Sequence, residues 1–93
     1  MAQSVTDKQI ERIGWNIDAG AGYIIFASAN IGGTVPSGCT GGTLGVADAD
    51  TKLWSAALAA ASQGIPVSCD GTNTQLGTTG WEKLKQINFL VPQ

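Results

Sequence analysis

A chain of 93 residues with no histidine has few ways to move a proton. Acid–base work would fall to the carboxylates Asp7, Glu11, Asp18, Asp48, Asp50, Asp70 and Glu82, or to Lys and Tyr. Only Asp48 and Asp50 stand close together. They directly precede an alanine-rich apolar stripe, where a carboxylate caps a helix by accepting the free N–H groups of its first turn. The run "DADT" lacks the third oxygen ligand, the loop glycine and the closing Glu of a calcium loop. Ser28, Ser37, Ser55, Ser62 and Ser68 have no imidazole to activate them. The glycine-rich stretches "GTLGVAD" and "GCTGG" match neither phosphate-binding pattern. The sequence therefore points away from an enzyme, with no catalytic residue, metal or cofactor expected.

The cysteines, Cys39 and Cys69, form no C-x-x-C pair, and without histidine a zinc or redox centre has no support. An even count in a small, glycine-rich chain suggests one Cys39–Cys69 disulfide and an oxidising compartment. Closing a loop of about 30 residues would contribute about 3–4 kcal/mol in the chain-entropy model. The alternative is two reduced, buried thiols in the cytosol. Of the three tryptophans, Trp54 and Trp15 read as core. Trp81, between "GTTG" and "EKLK", is the ring best placed to face solvent and stack on a sugar or a partner subunit, the alternative being a ring folded over the barrel mouth.

Composition narrows the partners. Charged residues make up only 13% and hydrophobic residues 43%, which argues for a folded chain with a surface of Ser, Thr, Asn, Gln and Gly. Such surfaces suit extracellular and sugar-facing proteins. Net charge is −2, with five Lys and Arg and no basic run, so nucleic acid is disfavoured. No apolar run approaches the ~20 residues of a membrane span, so no membrane insertion is expected. The polar start "MAQSVTDKQ" reads as the stretch left after removal of a signal peptide, with Ala2 the first mature residue. A secreted or periplasmic location is the expectation.

These residues need a scaffold, and the chain is long enough for one domain, residues 1–93, with 1–5 read as a flexible lead. Ile13, Trp15 and Ile17 alternate with polar partners as a first strand; just before it, either Thr6 and Gln9 form a capping box for one helical turn or the strand already begins there. After the turn "AGAG", "YIIFASA" is a second strand, and "TLGVAD" a third beyond a Gly-rich loop. Leu53, Trp54, Ala57, Leu58 and Ala61 then fall on one helical stripe, and Gly64 and Pro66 end the helix. "IPVSC" is a fourth strand, "DGTNTQLGTTG" a mobile loop and "WEKLKQINFLVP" a fifth strand. A mainly β chain with one helix between strands three and four of five has the layout of the OB-fold, a small Greek-key barrel.

With that order in place the chain resembles the B-subunit family of subtilase-cytotoxin-type and typhoid-toxin-type AB5 toxins, with their small exported bacterial relatives. The resemblance rests on "TDKQIERIGW", "YIIFASA", a cysteine ahead of the third strand and, above all, "LWSAALAAASQGIPVSC", and covers about Thr6 to Val91. It implies an OB-type barrel, a disulfide, export, and a ring of five subunits that binds sialylated glycans and carries an enzymatic A subunit. It also implies that Thr6, in the place of the family's usual Ser, and Asp7 hold the sugar carboxylate. With Trp81 these are the expected glycan-binding residues. The competing expectation is a solitary periplasmic or secreted OB module that binds protein or serves a structural role.

Overall fold

A computed structural model describes residues 2–91. In chain order it contains β1 (Gln3–Lys8), β2 (Arg12–Asn16), β3 (Ala21–Ile25), a 3-10 turn (Ser28–Asn30), β4 (Gly32–Gly33), β5 (Thr43–Ala47), α1 (Thr51–Gln63), β6 (Val67–Gln75) and β7 (Glu82–Asn88). The protein is mainly β with one helix, as expected, but it has seven strands in one mixed sheet rather than five. Their order is β2-β3-β5-β7-β6-β1-β4. Every neighbouring pair is antiparallel except β5 and β7, which run parallel through Leu44↔Glu82 and Gly45↔Lys83.

The order carries a geometric demand. In a flat sheet β2 and β1 would stand five strand spacings apart, about 24 Å. Only Gln9, Ile10 and Glu11 join them, a reach of about 13 Å fully extended. The sheet must therefore curl. Its inner face gathers Val5, Ile24, Leu44, Val46, Val67, Cys69 and Leu84, with Phe26 and helix residues Ala57 and Ala60.

The helix ends as the sequence indicates. Gly64 adopts the left-handed conformation (φ 66°), its N–H reaches the carbonyls of Ala60 and Ala61, and Ile65 N–H bonds Ala60 O. Its start differs: Asp50 is the N-cap by position, yet its carboxylate accepts no capping bond, and only its carbonyl receives Trp54 N–H. The buried line also differs. Ala57 and Ala60 touch the sheet, Leu53 and Trp54 flank them, and Leu58 is 44% exposed. The alanines win the inner position because their small side chains let the helix lie close to the sheet.

Three further expectations are corrected and one open alternative is decided. Residues 3–5 are not a flexible lead, because Gln3 and Val5 are buried in β1. Of the two alternatives for the segment at Thr6, the strand is the one observed: Thr6 lies in β1 and forms no capping box, and Gln9 donates its amide to the carbonyl of Gly64 at 2.6 Å. The segment after Cys69 is not a mobile loop, since β6 pairs with β7 as far as Gln75↔Glu82. Cys39 and Cys69 are both free thiols, not a disulfide. Cys69 points into the core near the start of β6, opposite Val5 and Ile87. Cys39 lies in an outer turn held by Cys39 N–H to Pro36 O and Thr40 N–H to Gly80 O, beside the far end of β6.

Burial of one acid explains why β1 is held so firmly. Glu82 is fully buried, and its carboxylate accepts hydrogen bonds from Gln3 N (3.0 Å), Gln3 Nε2 (3.1 Å) and Asn73 N (2.8 Å). Gln3 Oε1 in turn accepts from Gly42 N at 2.8 Å. Gly71 makes room for this cluster, because a Cβ there would fall on the Glu82 carboxylate. Among the described residues no buried side-chain N or O lacks a partner, and no helix is long and apolar enough to cross a membrane.

Candidate functional site

The outward face of β1 builds a polar groove. Period-two alternation sends Gln3 and Val5 inward and Ser4 and Thr6 outward; the register then shifts between Val5 and Lys8, and beyond that irregularity Lys8 also borders the groove. Pairing of Ser4 with Gly32 of β4 brings the 3-10 turn alongside, so that Ala29, Asn30, Ile31 and Gly32 form the opposite wall. The groove holds about 310 Å³. It presents two hydroxyls, one ammonium and one amide, all able to donate to a carboxylate.

Of the expected glycan-binding residues only Thr6 lies in this groove. Asp7 is the next residue in a strand and faces away, into a depression with Ile65, Pro66 and Leu90. Its backbone takes the unusual φ of 50°, with Asp7 N–H donating to Ser68 Oγ (3.1 Å) and Ser68 Oγ to Asp7 Oδ1 (3.3 Å). Trp81 joins neither. It is half-buried, packed over Gly45 and tilted against Tyr23 with ring centroids 5.0 Å apart. Bonds from Trp81 N to Thr79 Oγ1 and from Leu76 N to Trp81 O pin its backbone where β7 begins.

A second open region surrounds Trp15. This ring is 43% exposed on β2 and meets Trp54 edge-on, with centroids 5.4 Å apart and planes at 68°. The two rings, with Ala47, Asp48, Thr51 and Ser55, line a groove of about 420 Å³. A trough of about 490 Å³ adjoins it through Ala47 and Asp48, between the turns at Asn16–Ala21 and Leu76–Thr79. Sequence reasoning marks neither Lys8 nor Trp15 as a site residue. A signal for Trp15 exists: the turn at Asp18–Gly20 comes at once after it, so the strand is already leaving the core, and Ile17 is 86% exposed.

The thiols do not form a reactive pair. Burial pushes Cys69 up to about 12, with the Asp70 carboxylate adding to the rise. Partial burial and the Glu82 charge raise Cys39 as well. Both are weak nucleophiles at neutral pH. Among the described residues no three His, Cys, Asp or Glu side chains converge as a metal-binding set.

No protein-family model matches the chain, and no curated protein or solved structure matches it.

Proposed function

We propose that the chain is an exported, non-enzymatic glycan-binding module with an OB-type barrel, similar to AB5 toxin B subunits, and that its β1 groove holds an acidic sugar. The strand pairing supports the barrel. Taking β1 and β2 as one bent first strand, the order becomes one-two-three-five-four-one, with a parallel pair between the third and fifth strands and a helix between the third and fourth. The two-residue β4 is then an added edge on the first strand.

One observation carries the functional reading: Ser4, Thr6 and Lys8 of β1 line one groove together with Asn30. A sialylated glycan presents a carboxylate beside hydroxyls, and this set offers a cation and neutral donors within one groove. The Lys8 ammonium takes the role that the resemblance gave to Asp7, whose carboxylate faces away. Binding of 3′-sialyllactose by calorimetry tests this, with lactose as the uncharged control. Thr6→Ala and Lys8→Ala should each weaken binding about 10-fold, the loss of one charge-assisted hydrogen bond.

A ring of such modules, with an A subunit seated on it, belongs to the same proposal. The outer helix face carries Leu58 and Ser62, apolar or small side chains for a neighbouring subunit to cover. A solitary protein-binding module is the second reading, favoured by Leu90 and Val91, which are 89% and 72% exposed at the end of the described chain.

A further inference from the structure

We infer that the Trp15–Trp54 groove is a second carbohydrate site, separate from the β1 groove, that takes uncharged pyranose rings of an oligosaccharide. An indole left 43% exposed forgoes much of the burial that stabilises a tryptophan, so its position calls for a reason. The ring is also fixed. Trp15 stands opposite Gly22 in the β2–β3 register, and Gly22 is where Trp54 descends onto the sheet; a Cβ there would fall on the Trp54 ring. The missing side chain thus lets the two indoles meet edge-on as one aromatic wall.

Around that wall stand Asp48, Thr51 and Ser55, all exposed. A pyranose ring has an apolar face of C–H bonds and a rim of hydroxyls. The C–H face suits the indole, and the hydroxyls can donate to the carboxylate and exchange bonds with the Thr and Ser hydroxyls. A wholly apolar partner would leave the Asp48 carboxylate desolvated and unpaired. Charge then separates the two sites. No Lys or Arg lines this groove or the adjoining trough, while Asp48 borders both and Asp18 lines the trough. Carboxylated sugars and phosphates are repelled here, whereas Lys8 attracts them at β1. The groove and trough, about 420 and 490 Å³ and joined at Ala47 and Asp48, leave room for more than one ring in line.

Tryptophan emission and calorimetry with maltohexaose, cellohexaose and chitohexaose as separate probes test the inference. At least one should shift the emission and bind, with affinity about 10-fold weaker or worse in Trp15→Ala and unchanged in Lys8→Ala. Binding of 3′-sialyllactose should be unaffected by Trp15→Ala. Ser55→Arg fills the groove from its exposed rim and should block the hexasaccharide even if Trp15→Ala fails to fold. The inference is overturned if none of the three probes binds, or if binding survives both substitutions. It is equally overturned if the wild-type protein self-associates and Trp15→Ala or Ser55→Arg makes it monomeric, because the groove is then a subunit interface.

Discussion

At the scale of single residues, Glu82 organises a buried polar cluster that the sequence hides. There it is one acid among seven, the second residue of the expected strand "WEKLKQINFLVP". Its donors come from Gln3, 79 positions away, and from Asn73 on the neighbouring strand. No local pattern reports such a contact. Glu82→Ala strands these donors in the core and should cost roughly 3–4 kcal/mol in urea unfolding. Glu82→Gln, which keeps an accepting oxygen, should cost less than half as much. The cysteines mislead for a related reason: an even count says nothing about which way each side chain points. Cys39 should react with a thiol reagent in the native protein, and Cys69 only after unfolding. The pH dependence has a definite sign. An unfolded Cys69 loses its proton near its usual 9.0 and the folded one near about 12. Its contribution is therefore complete below about pH 9 and is lost as pH rises toward 12, at about 1.4 kcal/mol per pH unit. Above pH 9 the unfolding free energy of the wild type should fall with pH more steeply than that of Cys69→Ala.

At the scale of elements, legibility tracks local periodicity. Helix α1 and strands β3, β5 and β7 announce themselves because their apolar spacing and stop signals lie within a few residues. Gly64 shows this directly: the left-handed turn it makes is readable from its place after the alanine run. Gly64→Ala should destabilise the fold by about 1 kcal/mol, the cost of a Cβ at positive φ. Strand β1 is hidden because "QSVTDK" buries a glutamine that only the distant Glu82 satisfies. The latter half of β6 is hidden because "DGTNTQ" looks like a loop, although Gly71 is there to clear the Glu82 carboxylate. The buried line of the helix lies about one residue away from the stripe that apolar spacing suggests. Leu58→Ser should therefore change stability by no more than about 0.5 kcal/mol, whereas Ala57→Leu should overpack the sheet and cost about 1–3 kcal/mol.

At the scale of the whole molecule, curling the sheet places different chemistry on different sides of a small body. Lys8 and the hydroxyls of Ser4 and Thr6 gather on β1, and the paired indoles gather where β2 meets the helix start. Thr6, Asp7 and Trp81 look like one site in the sequence only because strand alternation and the route of the chain are not visible there. The proposed function stands on the β1 groove binding a carboxylate-bearing glycan. Calorimetric titration of wild-type, Thr6→Ala and Lys8→Ala protein with 3′-sialyllactose is the decisive experiment. The wild type should bind, each variant should lose about 10-fold in affinity, and lactose should not bind. Absence of binding by the folded wild-type protein, or equal binding by all three proteins, would refute the proposal.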